Sequence, residues 1–231
     1  AGLPEDVASL VHAVQGALLH VVWAGRYGVE LSKARQEEVQ LRSAREMLAR
    51  LEELDPVPLT APRPLERRLV GNCRHFAVLL TTLLRRRGVA ARARCGFGTY
   101  FRPLHYEDHW VCEYWSGRAR RWVLVDPQID ALQRRALRIA FDPLDVPRDR
   151  FVTGGQAWLL CRAGGADPGR FGIFDMRGMA FIRGNVVRDL LALNKVEVLP
   201  WDDWGPMTST DEEAATHDVE LIDRLARLTV S

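Results

Sequence analysis

Lysine is almost missing from this chain: of 32 basic residues, all but Lys33 and Lys195 are arginine. Such a bias fits a GC-rich genome and says little about function. Excess charge is missing too. A net charge of +2 lacks the basic surplus that marks a nucleic-acid binder. There is no long apolar run. The stretch from Ala1 to Trp23 carries Glu5, Asp6, His12 and His20 among periodic apolar residues, which reads as an amphipathic helix and not as a signal or a membrane span. Four cysteines, Cys73, Cys95, Cys112 and Cys161, with no CxxC pair, are too few for a disulfide scaffold. Free thiols in a reducing cytoplasm are expected. No internal repeat and no low-complexity tract appears. His105, Glu107, Asp108 and His109 cluster in sequence, but no regular element gathers them as ligands. No metal and no cofactor is expected.

What remains is an ordinary globular composition, 47% hydrophobic and 27% charged over 231 residues, enough for one large unit. Residues 4–24 are predicted helical, with Pro4 in the first turn and Val7, Leu10, Val11, Val14, Leu18, Val21 and Val22 on one face. A second helix is predicted over 32–54, capped by Ser32, with Leu41, Leu48 and Leu51 as its apolar stripe. Four prolines between Asp55 and Pro64 make a linker. Asn72 then caps a helix whose apolar positions are Phe76, Leu79, Leu80, Leu83 and Leu84. Arg85 to Arg87 suit its last turn as a solvated end, and Gly88 stops it.

Alternation from Val89 to Phe97 predicts a strand, Gly96 to Pro103 a loop, and two more strands follow over about 109–115 and 121–125. A helix followed by consecutive strands argues α+β with an antiparallel sheet. Beyond Phe141 the chain turns rich in Pro, Gly and Asp, with helical candidates at 156–161, 186–194 and 211–228. For the last, Ser209 with Glu212, or Thr210 with Glu213, would be the capping box. Trp201 to Gly205 read as a packed surface loop in preference to a lid.

Cys73 falls in a helical first turn, where unpaired N–H groups and the dipole favour a thiolate and can cradle an oxyanion. A thiol needs a base, and the base needs an orienting group. If the hairpin turns on Gly117 and Arg118 alone, His109 lies directly opposite Asp126, Val111 opposite Leu124 and Glu113 opposite Trp122. The candidate catalytic residues are therefore Cys73 as nucleophile, His109 as base and Asp126 as orienter. The apolar stripe of the Cys73 helix is expected to pack on the face that carries His109. His75, about 200° round the helix from Cys73, should point away as a structural residue. Cys112 should lie on the strand face opposite His109, and Cys95 and Cys161 should be packing residues.

Three runs, 71–77 (GNCRHFA), 108–111 (DHWV) and 122–127 (WVLVDP), resemble the signature blocks of the transglutaminase-like superfamily, and 83–92 is similar to its helix-to-strand segment. The resemblance implies a papain/transglutaminase-like α+β core, with N-terminal helices, a central helix carrying the cysteine and an antiparallel sheet carrying the histidine and aspartate. It implies an acyl-thioester on Cys73, formed from an amide or thioester donor and passed to an amine or to water, as in a bacterial acyltransferase or amide hydrolase acting on a small molecule or peptide. The alternative is a non-catalytic binding or scaffold protein that keeps the fold. No match to the calcium-binding extensions of animal transglutaminases is evident. The Arg-Gly-Gly-x-Cys block of arylamine acetyltransferases is absent, since Gly71 and Asn72 precede the cysteine. The family's upstream oxyanion partner has no evident counterpart. The expected organisation is an N-terminal helical segment (1–64), a catalytic core (65–130) and a C-terminal extension (131–231), packed as one globular unit.

Overall fold

A computed structural model describes residues 2–207 and 219–230. The chain opens on helix α1 (Val7–Ala17), capped by Asp6, whose Oδ1 accepts from Ser9 N–H at 2.8 Å. Loss of such a cap costs about 1 kcal/mol. The helix does not run to residue 24. Leu18–His20 form strand β1, all three buried. It pairs in parallel with β2 (Leu69–Gly71), with His20 beside Gly71. Leu18, Leu19, Val21 and Val22 make a near-continuous apolar run, which helical periodicity cannot tell from a buried strand, and the tertiary pairing decides.

The predicted helix over 32–54 is broken. Ser32 caps a single turn, α2 (Lys33–Gln36), which passes into a 3-10 turn, Glu37–Gln40. A second start follows at α3 (Ala44–Leu54), where Ser43 and Glu46 form a capping box. The break has a cause. Glu38 turns inward, accepts from Val70 N–H at 2.8 Å and is held by Arg50 at 2.9 Å. A buried carboxylate needs those partners, and a straight helix would carry it away from β2.

Helix α4 (Cys73–Arg86) starts on an Asn72 cap and ends before Gly88, whose φ of +78° suits glycine. The strands that follow are β3 (Ala91–Gly98), β4 (Tyr106–Ser116) and β5 (Arg121–Val125). Then come α5 (Ala131–Ala136), β6 (Phe151–Thr153), α6 (Gly154–Arg162), β7 (Phe171–Ile173), β8 (Met176–Arg177), α7 (Met179–Leu193) and α8 (Val219–Val230). Both capping boxes proposed for the last helix fall outside the described residues.

The architecture is α+β, as expected, but the sheet is mixed. β6, β3, β4 and β5 are antiparallel neighbours, while β7 pairs with β4 in parallel. The short strands β6, β7 and β8 carry too few residues to show a pattern in sequence. One core runs through the chain: Leu10 and Val14 of α1, Met47 and Leu51 of α3, Leu79, Leu80 and Leu83 of α4, Cys95, Trp110, Cys112, Val123 and Val125 of the sheet, and Ala192 of α7. A second cluster joins Phe97 to α6, α7 and α8 through Trp158, Val186 and Ile222.

Two details of this packing correct the sequence reading. The hairpin turn is longer than two residues: Cys112 pairs with Val125, Glu113 with Leu124 and Trp115 with Trp122, so Gly117 to Arg120 all lie in the loop. Arg120 takes φ +50° there. The register has therefore shifted by two. Asp126, just past the strand, continues towards Val111, one diagonal step from His109. An even shift keeps both side chains on one face. The second correction concerns α4. Its stripe packs on Cys95, Trp110, Cys112, Val123 and Val125, which alternate out of phase with His109. Cys112 thus sits opposite His109, as expected, but the helix covers the Cys112 face.

The sheet has a gap beside His109. β3 occupies one edge of β4 from Glu107 to Tyr114. On the other edge β7 pairs only with Tyr106 and Glu107, and β5 only from Cys112 onward. Among the described residues, 108–111 have no strand partner on that side. His109 lies in this window.

Candidate active site

Asn72 presents Cys73. Arg74 N–H donates to Asn72 Oδ1 at 3.2 Å, and Asn72 N–H donates to His75 Nδ1 at 3.2 Å. His75 is therefore the third-position partner of a capping box. Its Nε2 meets the Leu41 carbonyl at 3.0 Å. Burial drives the His75 pKa down to about 3, so the ring is neutral, with Nδ1 also 2.8 Å from Asn72 Oδ1. It is structural, as its helical angle suggested. Gly71 makes room for it, since a Cβ there would lie 2.8 Å from the Cβ of His75. With these bonds made, and His75 N–H on the Asn72 carbonyl, Cys73 N–H is left without a hydrogen-bond partner among the described residues. Cys73 itself is only partly buried.

His109 and Asp126 are buried together. His109 Nε2 and Asp126 Oδ2 are 2.8 Å apart. The carboxylate is held on all sides: Tyr100 donates its hydroxyl to the same Oδ2 at 2.7 Å, and Gln128 N–H donates to Oδ1 at 3.1 Å. Burial alone would lower the His109 pKa. Asp126 outweighs it and, with a hydrogen bond and charge from Cys73, lifts the imidazole to about 10. The Cys73 thiol thus acts on the ring, and Nδ1 is the nitrogen that Asp126 leaves unengaged. The structure brings the three sequence candidates into one neighbourhood, with Asp126 on Nε2 of the imidazole and Cys73 contributing to the charge of the ring.

The other thiols differ. Cys95 and Cys112 are buried. Burial raises the Cys95 thiol well above its ordinary value, Cys112 to about 12 and Cys161 to about 11. The acidic and histidine run before His109 disperses: His105 meets Arg177, Glu107 lies 3.8 Å from Arg102, and Asp108 accepts from Asn185. No metal-binding group of His, Cys, Asp or Glu is found among the described residues. No helix among them is long and apolar enough to cross a membrane. The loop at Trp201 is tied down, by Trp201 Nε1 to Gln40 Oε1 at 3.0 Å and by Asp202 to Arg42.

Tyr100 is the residue that sequence reading missed. It sits in the loop after β3, where no spacing rule points to a role. Its ring and that of Phe101 pack on His109, at 5.9 and 4.7 Å. Both also line a groove of about 660 Å³ with Phe141, Ile139 and three arginines, Arg102, Arg138 and Arg150. Arg138 takes φ +55° at its wall, a conformation that non-glycine residues adopt at a cost.

Residues 30–127 match the model of the transglutaminase-like superfamily. The span includes Cys73, His109 and Asp126 and leaves out α1, β1 and everything after Pro127. No curated protein and no solved structure matches the chain.

Proposed function

Because the chain carries a transglutaminase-like domain, we propose that it is a thiol enzyme that forms an acyl-thioester on Cys73. In this reading His109 takes up the proton of Cys73. Sγ attacks the carbonyl carbon of an amide or thioester, the C–S bond forms, and the carbonyl electron pair moves to oxygen. Collapse expels the amine or thiol, which takes its proton from His109. An amine or water then attacks the thioester and gives its proton to His109, and Cys73 leaves as thiolate. Asp126 holds the imidazole in one tautomer and one orientation.

The observation that carries this is the placement of His109 between a fully bonded carboxylate and a partly exposed thiol on a helix start. The groove lined by Tyr100 and Phe101, which pack on His109 although Cys73 is not in its wall, has a volume within the 300–1,000 Å³ usual for small-molecule sites and supports a small molecule or peptide as the acyl donor. The four free cysteines support a reducing compartment, the cytoplasm.

Competitive labelling with iodoacetamide near neutral pH, followed by peptide mapping, tests the reading. Cys73 should react first of the four thiols, and His109→Ala should slow it. Faster labelling of Cys95, Cys112 or Cys161 in the folded protein would favour the non-catalytic scaffold.

A further inference from the structure

His20 is a buried imidazole beside the site with no task in the mechanism above. It lies outside the span that matches the family model. Strand β1 places it next to Gly71 in register, two residues before Cys73. Its ring centroid is 6.3 Å from that of Phe76, which is one turn from Cys73 on the same side of α4. His109 and Asp126 both act on its charge, the first opposing protonation and the second favouring it.

The protonation of His20 is set locally. Nδ1 accepts from Val22 N–H at 3.2 Å, which leaves the proton on Nε2. Burial first, and His109 second, drive its pKa down to about 3, so the ring is a neutral donor at any working pH. Among the described residues Nε2 has no hydrogen-bond partner. Nor is it one of the sealed, unsatisfied polar atoms of the interior. It is an N–H left without a protein partner, on a side chain that also borders a small cavity with Phe76 and Gln128.

An attacked carbonyl needs donors aimed at the oxygen as it becomes negative. Cys73 N–H is one unpartnered donor at the helix start. A second must come from outside α4, since the neighbouring N–H groups of Asn72, Arg74 and His75 are spent on the capping box and its carbonyl. We propose that His20 Nε2–H is that second donor, and that it forms the oxyanion hole together with Cys73 N–H. The proposal rests on the thiol-enzyme reading. It makes the parallel β1–β2 pair part of the catalytic machinery, and it explains why the chain leaves α1 at Ala17 to lay down a three-residue strand.

The test separates two reactions of the same sulfur. Acylation by p-nitrophenyl acetate passes through an oxyanion; alkylation by iodoacetamide does not. In His20→Ala the Cys73-dependent burst of p-nitrophenol should slow roughly 100- to 1,000-fold, while iodoacetamide labelling of Cys73 stays within about twofold. His20→Gln keeps a donor and should recover most of the burst. His20→Met fills similar space without one and should not, and this pair decides the matter even if the alanine variant folds poorly. Equal bursts in the Gln and Met variants, or alkylation falling in step with acylation, would overturn the role of His20. A burst that survives Cys73→Ala would instead overturn the thiol reading itself.

Discussion

Strand β4 carries two buried charged clusters on one face, four residues apart. At His109 the partners are Asp126, Tyr100 and Cys73. At Glu113 they are arginines: Arg92 Nε at 2.6 Å and Arg94 Nη1 at 2.9 Å on Oε2, with Arg148 2.6 Å from Oε1. Arg94 then reaches round the edge of β3 to grip Asp189 of α7 in a two-pronged bond, at 3.0 and 2.9 Å, and gives a further hydrogen bond to the Thr229 carbonyl of α8. The second cluster is closed. Its charges meet charges, and it clamps the C-terminal helices to the sheet. The first is open at one end, where the ring meets a thiol that solvent can reach. Both avoid the cost of unpaired buried charge; only the open one has a valence left for chemistry.

The sharpest way to break this comparison is to remove one carboxylate from each cluster. Asp126→Asn should reduce acyl transfer by roughly 10⁴-fold, the scale at which loss of the orienting carboxylate acts in such triads, with a small change in stability. Asp189→Ala should do the reverse. It leaves Arg94 buried without its main partner, which costs roughly 3–5 kcal/mol, while turnover per folded molecule holds. Urea melts and a burst assay on both variants measure the two effects. If the Asp189 variant loses activity as deeply as the Asp126 variant while still folded, the clusters are one functional unit and the contrast fails.

The clusters also part on pH. Burial alone would raise the Glu113 pKa, but Arg94 and Arg92, with Arg148, hold it below the ordinary carboxylate value. A depressed carboxylate contributes stability that is present above its unfolded pKa and is lost as pH falls through the folded one. His109 has the opposite sign. Raised from 6.5 to about 10, it contributes stability that is complete below pH 6.5 and lost as pH rises through about 10. Thermal melts across pH should therefore show Glu113→Gln losing its disadvantage at acid pH, and Cys73→Ala narrowing the gap to wild type at alkaline pH. Matching pH profiles for the two variants would sink the assignment.

Sequence reading reached the open cluster and missed the closed one, for physical reasons. Cys73, His109 and Asp126 each sit in a short block whose local elements, a cap, an alternation and a strand end, are visible without tertiary contacts. Even so, the register was off by two because the turn runs from Gly117 to Arg120, and only the evenness of the shift kept the pair on one face. Arg92 and Arg94 look like a solvated strand face. Arg94 is in fact buried, because α7 and α8 arrive from about a hundred residues away. Local patterns cannot announce a partner at that distance. The same holds for His20, read as one more residue of a helix, and for Tyr100, read as loop.

Tyr100 offers the smallest effect and the finest test of how the open cluster is tuned. Its hydroxyl and the His109 Nε2–H share one oxygen, Asp126 Oδ2. Tyr100→Phe deletes the hydroxyl and keeps the ring contacts with Phe101, His109 and Phe141. Loss of one buried hydrogen bond to a charged group should cost about 1–2 kcal/mol of stability and about tenfold or less in rate. A structural role alone would end there. If the hydroxyl also draws charge away from Asp126, its removal leaves the carboxylate to pull harder on the imidazolium, and the His109 titration moves up. Asp126→Asn removes the pull, and the titration moves down. Nitrogen NMR of His109 in the two variants reads these opposite signs directly. A downward shift in Tyr100→Phe, or none, would leave Tyr100 as packing and would return the tuning of the base to Asp126 and Cys73 alone.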